Sequence, residues 1–491
     1  MNRRDFLISG LASLGLPSLG PLPLASLDTN ARATEQTNVT LRIAPISLEI
    51  GPGKTIKTVG YNGSAPGPIL RFREGTPVTV DVFNETDVPE TVHWHGQLIP
   101  SAVDGSVEEG TPAIPAHGHR RYRFTPRPAG TRWYHTHSMA HADLSRAGFS
   151  GQYGFAIVEP ARQPGDYDQE VCIAAHHWEP SLAPKGPADN GWEIAYKSAT
   201  LNDKMLGARE PLRVRMGQRV LFRFLNASAT DEIRLALPGH RFNVVAMDGN
   251  PVPRPQTVDF VYLDIAERVD AIVEMNNPGV WILGSANEEE RKMGMGMVVE
   301  YADKSGEPQW QQPSGIVRGP WDYSMFGSGG TAPEPDHILE MKFQKIPGHK
   351  VDFNRWTING KSFPDTEKLI LERGKRYKLF FDNKDTGDIH PLHLHRHTFE
   401  VTEVGGKPMT GLMKDVVSVG SRGTAAITFV ADNPGLTLFH CHMQLHQDFG
   451  FMQLIEYAGG QGARNGWIDQ VTGADAARGQ RCPARIRGRY S

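Results

Sequence analysis

Cysteine is scarce in this 491-residue chain: Cys172, Cys441 and Cys482 are all there is, too few for a fold stapled by disulfides. Net charge is nearly absent as well, and a formal value of −3 gives no reason to expect a nucleic acid partner. Long apolar runs are missing. The nearest thing to one extends to about Leu27 and is interrupted by Pro17, Pro21 and Pro23, so it is too short and too broken to span a membrane. It follows Met1-Asn2-Arg3-Arg4-Asp5-Phe6-Leu7 and reads as a twin-arginine export signal over residues 1–33, with Ala31-Arg32-Ala33 as the cleavage site and Thr34 as the first mature residue. A bacterial periplasmic or secreted location follows, reached by a route that carries folded chains.

What the chain has in quantity is glycine (52), proline (36) and enough apolar residues (39%) for several cores. It also repeats itself. Residues 69–84 (ILRFREGTPVTVDVFN), 212–226 (LRVRMGQRVLFRFLN) and 369–383 (LILERGKRYKLFFDN) each give an apolar strand, a Gly turn and a second strand ending in Asn. Each copy later has a turn into a further strand (Ala129-Gly130 into WYHTH, Pro278-Gly279 into VWILGS, Pro434-Gly435 into LTLFHCH) and closes on GFAIVEP, MGMVVEY or FMQLIEY. Short alternating strands between Gly and Pro turns predict an all-β chain of three Greek-key barrels or sandwiches. The units fall at 34–160, 161–302 and 337–491, the last with a polar, Arg-rich tail, and a Gly/Pro/Ser-rich linker covers 303–336. Cys172 lies in one alternating strand and Cys482 in the tail; they are either bridged or free thiols.

The chemistry concentrates in Thr437-Leu438-Phe439-His440-Cys441-His442-Met443-Gln444-Leu445-His446. Side chains alternate across a strand, so His440 and His442 face one way and Cys441 the other. One strand can then serve two metal sites. Cys441, with His446 beyond a turn and His390 on the matching face of another strand, suits a blue copper ion. His93-Trp94-His95, His135-Thr136-His137 and His393-Leu394-His395 repeat the His-x-His spacing, and with His440 and His442 they make eight imidazoles, enough for a three-metal cluster. His117-Gly118-His119 has the spacing without the context and reads as surface; His141, His176, His177 and His397 read as solvent-facing or supporting residues. The middle copy has Leu235, Ala236, Gly284 and Ser285 where the others carry ligand motifs, so it keeps the scaffold without the metal. The cluster is therefore expected across the junction of the first and third units.

In the order HWHG, HTH, HPLHLH and HCHMQLHQDFGFM, the chain resembles three-domain multicopper oxidases of the laccase and bilirubin oxidase type, over everything after the export signal. The resemblance implies three consecutive cupredoxin-like Greek-key β-barrel domains and four copper ions, one type 1, one type 2 and two type 3. It puts His390, Cys441 and His446 on type 1, His93 and His393 on type 2, and His95, His135 and His442 on one type 3 ion, with His137, His395 and His440 on the other. It also implies that Asp104 relays protons and that Phe451, ten residues after the cysteine, takes the axial position where many relatives have Met. A second relay carboxylate found in some relatives is replaced by Gln447, with Asp448 next.

The partners implied are O2 and a small-molecule reductant, taken up by a monomer. The Met-rich insertion of cuprous oxidases is missing, and Met293, Met295 and Met297 read as strand packing, which favours phenols or aromatic amines over Cu(I). Glu179, in Trp178-Glu179-Pro180, is a candidate carboxylate near a phenol. The competing readings are a cuprous oxidase of copper tolerance, a one-copper electron carrier, and a copper-free scaffold of the same domain order; retention of ten histidines and the cysteine speaks against the scaffold.

Overall fold

A strand with one face on a core needs apolar side chains at every second position, and the repeated segments supply them. The computed structural model describes residues 39–160, 166–184, 192–315, 320–348 and 353–458. In it each of the three copies becomes a pair of sheets, of four and four strands in the first and of six and five in the others, with shared parallel pairings, in agreement with the all-β expectation. In the first sheet of each pair an early strand runs parallel to the strand that ends in Asn: Val39–Gly51 beside Val78–Asn84, Gln169–Trp178 beside Arg219–Asn226, His337–Ile346 beside Arg376–Asn383. In the second sheet a short strand runs parallel to the closing one: Leu70–Arg73 with Tyr153–Glu159, Leu212–Val214 with Gly296–Tyr301, Leu369–Leu371 with Met452–Tyr457. The stretch expected to be an export signal, Thr34, the tail from 459 onward and Cys482 lie outside the described residues, and with them any bridge to Cys172. Among the described residues no helix is long and apolar enough to cross a membrane.

The shared Asn has one job in all three copies. Asn84, Asn226 and Asn383 are buried, and each amide donates to one carbonyl of the loop that follows and to another thirty or more residues on, while its oxygen accepts from a backbone N–H two residues on. An amide with two donors and an acceptor can staple such a loop, which an apolar side chain cannot. In the third copy the stapled loop carries Asp385 and leads directly into His390.

Between the second and third sheet pairs, residues 321–328 of the Gly/Pro-rich stretch are packed rather than loose. Trp321, Tyr323 and Phe326 are buried, a turn of 3-10 helix spans Tyr323–Met325, and Ser328 bridges to Thr410. Composition predicted a tether; the three aromatic residues within it make it a strap.

The middle unit is joined to its neighbours by buried polar groups as well as apolar ones. Asp264 accepts from the Ile265 N–H and meets Ser418 Oγ of the third unit at 2.6 Å. Burial, then the neighbouring Glu267 charge, pushes its carboxyl up from 3.8 to about 8. A folded value above the unfolded one means the folded chain holds more protons between those limits, so this group's contribution to stability declines as pH rises from about 4 to about 8. Asp264→Asn is expected to flatten that slope and to raise unfolding stability near pH 9 by on the order of a few kcal/mol, with little change near pH 4. Urea unfolding at both pH values checks this, and an equal effect at both would refute it.

Candidate metal centres

Register decides which histidines meet. Cross-strand partners in an antiparallel pair share a face, and His93–His95 pairs with Gly130–His135 so that His93 stands opposite His135. In the third unit His393 stands opposite His440, and Leu392 opposite Cys441. The equivalent pairing in the middle unit joins Leu235 to Ser285 and Ala236 to Gly284, where no metal ligand stands. The two equipped faces then meet. The His93 ring stacks on His395 at 4.0 Å, His95 on His393 at 3.8 Å, and the His135 and His442 rings are 5.1 Å apart.

Ligand atoms gather into groups whose members lie within 4.8 Å of one another: His95, His135 and His442; His137, His395 and His440; His93 and His393 with His95; and, on the other side of the strand, His390, Cys441 and His446. Every sequence-predicted ligand is in one of them. His117 and His119 are exposed and pair with Asp87 and Asp81. His397, expected at solvent or in support, is buried, with its ring held between the His395 carbonyl and the Tyr457 hydroxyl; His176 and His177 are buried in the middle unit.

The hydrogen bonds fit these rings to a cation. His93, His135, His393 and His440 direct Nδ1 at carbonyl oxygens and His395 directs it at Asp104 Oδ2. A carbonyl oxygen only accepts, as does the Asp104 carboxylate above its pKa of about 6, so Nδ1 carries the hydrogen and Nε2 keeps its lone pair. His395 Nε2 and His440 Nε2 then face each other at 3.0 Å with no hydrogen between them, an arrangement that a positive ion relieves. His93, His135, His393 and His442 have buried Nε2 atoms, and His137 two buried ring nitrogens, with no hydrogen-bond partner among the described residues. Burial lowers the proton affinity of all eight, His93 to about 4 and His440 to about 3, and neighbouring imidazoles add to it in every ring but His93, so the rings are neutral as ligation requires. The residues present fit metal.

The Cys441 side is smaller. Sγ lies 3.3 Å from His446 Nδ1 and 3.7 Å from His390 Nδ1, and Asp385 Oδ2 holds His390 Nε2 at 3.1 Å. Trp356 stacks on His446 at 4.0 Å. The Phe451 ring is 4.8 Å from that of His390, whereas Met452 stands opposite His440 and so faces the other way. Burial pushes the Cys441 thiol well up, so it loses its proton in exchange for a cation.

Acidic groups complete the surroundings. Asp104 touches His395 Nδ1 at 2.8 Å and His93 Nδ1 at 3.1 Å, and burial raises it to about 6. Glu109 has no motif of its own in the sequence, yet it is 3.2 Å from His395 Nδ1, shares a hydrogen bond with Asp104 and accepts from the Leu438 N–H. The doubled acid of Val107-Glu108-Glu109, just after Asp104, is the one signal that points to it. Asp385 and Asp415 have none. Asp448, raised to about 7 by burial, accepts from the Ala140 and His141 N–H groups, and Gln447 lines a cavity of about 30 Å³ beside His135 and His442. Glu179 is taken up by Ser198 and Lys54, and Met295 and Met297 are buried in the core.

Sequence profiles of the multicopper oxidase family match residues 43–163, 176–301 and 335–459. The chain is similar to multicopper oxidase MmcO of Mycobacterium tuberculosis, 30% identical across 93% of this chain and 96% of that one. It is 26% identical to bilirubin oxidase of Albifimbria verrucaria, covering 84% and 75%. Among solved structures, a multi-copper oxidase from Pseudomonas thermotolerans superposes with a TM-score of 0.68 at 26% identity, covering 86% of this chain and all of the other.

Proposed function

The chain belongs to the multicopper oxidase family, oxidoreductases that use O2, and from that premise we propose that it is laccase-like, oxidising phenols or aromatic amines by single electrons and reducing O2 to water. The observation that carries this reading is the pair of donor sets back to back on one strand, Cys441 with His390 and His446 on one face and the eight imidazoles on the other. His390, Cys441 and His446 would hold a type 1 ion, His93 and His393 a type 2 ion, and the remaining six histidines, in their two groups, a type 3 pair. Bound there, four copper ions supply the one-electron chemistry that side chains lack.

The rest is the work of the chain. Cys441 is bonded through the backbone to both His440 and His442, so entry site and cluster are one residue apart. Buried neutral imidazoles exclude competing protons from the ligand atoms. Asp104, raised by burial to about 6, takes up and gives up a proton within reach of the cluster, and Glu109 against it gives that proton two sites. Phe451 sets an apolar ring beside His390 and Cys441, and so would offer a type 1 ion no further donor atom. Phe451→Met is expected to lower the type 1 potential by about 60 mV or more, the equivalent of a tenfold preference for the oxidised ion. A redox titration showing no change, or a rise, would remove Phe451 from that place.

Similarity to copper resistance protein A of Escherichia coli, 24% identical over 92% of this chain, keeps a cuprous oxidase as the second reading. Packing of Met295 and Met297 in the core speaks against it. Oxygen uptake by copper-loaded protein, with phenols, aromatic amines, bilirubin and Cu(I) offered side by side, decides; fastest turnover with Cu(I) would overturn the laccase reading. The paired arginines at Arg3 and Arg4 support periplasmic or secreted placement.

A further inference from the structure

One of the eight imidazoles is turned round. His95 directs Nε2, not Nδ1, at an oxygen: Asp415 Oδ1, 3.1 Å away. Asp415 belongs to the third unit and is fully buried. Its Oδ1 also accepts from Arg268 Nη1 at 2.8 Å, and its Oδ2 from Arg268 Nη2 at 2.5 Å and Arg132 Nη1 at 3.1 Å. Arg268 comes from the middle unit and Arg132 from the first. A carboxylate gripped by two guanidinium groups only accepts, so His95 Nε2 carries the hydrogen and Nδ1 is the bare nitrogen, buried and without a hydrogen-bond partner among the described residues. The Asp415 backbone acts as well, since its carbonyl holds His393 Nδ1 at 2.6 Å.

A second feature of the chain is shaped to this contact. Gly96 follows His95 with φ +79°, and a Cβ there would lie 2.5 Å from Asp415 Oδ2 and 3.1 Å from Arg268 Nη2. The glycine of the HWHG motif leaves room for the carboxylate to reach the ring beside it.

We propose that Asp415, held by Arg268 and Arg132, is a positioning residue that selects which nitrogen His95 presents to the cluster, and that the metal-free middle unit thereby takes part in building the oxygen-reducing site. The inference rests on the proposed function above. It assigns the middle unit a role that its lost ligands do not suggest.

Asp415→Asn keeps the shape and inverts the demand. The amide oxygen goes to the side with the two arginines, its NH2 faces His95 Nε2 at the expense of the Arg268 Nη1 bond, and the ring must answer with a lone pair there and a hydrogen on Nδ1. Gly96→Ala keeps every charge and pushes the carboxylate away. The measurement is copper uptake by the full-length apo-protein, following the blue colour of the Cys441 site and the type 2 paramagnetic signal separately. Both variants should need about 10–100-fold more copper to fill the cluster, with type 1 uptake unchanged, in line with the usual effect of a group that orients a ligand. Asp270→Asn is the control: it removes a buried carboxylate that pairs with Arg223 and Thr131 in the same seam without touching Asp415. It should lower the melting temperature and leave cluster uptake alone. Parental cluster uptake in Asp415→Asn and Gly96→Ala would overturn the inference while the function stands. A parent chain that takes up no cluster copper would overturn the function, and the inference with it.

Discussion

Replacing Cys441 by Ser is expected to abolish the blue colour and to reduce O2 uptake with every donor by about 10⁴-fold or more, the scale of loss when one member of an interdependent set is removed. A serine hydroxyl at that position does not give up its proton to a soft, thiolate-preferring ion. Its surroundings make the exchange worse, because Leu392, Phe439 and Phe451 are buried in the same apolar core, which disfavours an ionised oxygen, and a neutral hydroxyl would instead hydrogen-bond the imidazole nitrogens of His446 or His390. The eight imidazoles lie on the opposite face of the strand and should still bind their metal. Copper analysis would therefore show loss of the type 1 ion alone. Loss of all bound copper would mean that the two donor sets are not independent; retention of the colour would mean that sulfur is not a ligand.

The second large effect concerns protons. Asp104→Asn preserves shape but cannot release or take up a proton, and it is expected to slow reoxidation of the reduced enzyme by O2 about 10²–10⁴-fold, the usual contribution of a positioned acid or base. Reduction by the donor should be unaffected, since Cys441, His390 and His446 lie across the strand. Burial raises Asp104 to about 6, so its proton is in place below that pH and is lost as pH rises through it. In the parent, reoxidation should therefore decline above about pH 6, and in the Asn variant that step should vanish from the profile. Stopped-flow mixing of anaerobically reduced protein with O2 separates the half-reactions. Equal reoxidation rates in parent and variant would show that another group delivers the protons.

Much of the fold and of the ligand set is legible in the amino-acid sequence, for a specific reason. Strand parity has a period of two, so His-x-His and His-Cys-His declare their faces without knowledge of the fold, and a threefold repeat shows which copies are equipped. Phe451 comes from the family resemblance, which places it ten residues after the cysteine, and the pairing of Met452 with His440 shows which way its neighbour faces. What stays hidden depends on contacts between units. Asp415 sits in an ordinary Met413-Lys414-Asp415-Val416 stretch, and only the approach of Arg268 from another unit gives it meaning. His397 looks like an extension of a ligand motif because its parity is right; Tyr457 and the His395 carbonyl claim its ring instead. Composition misleads for the stretch around Trp321, where glycine and proline outnumber the few aromatics that pin it down.

The lone pairs of His395 and His440, poised 3.0 Å apart, have a bearing on the order of assembly. One ring of their group, His137, comes from the first unit and the other two from the third, so this cage does not exist until those units have docked. An ion held by all three rings would tie the two end units together, so for a loaded protein the loss of that ion and the parting of those units would be coupled events.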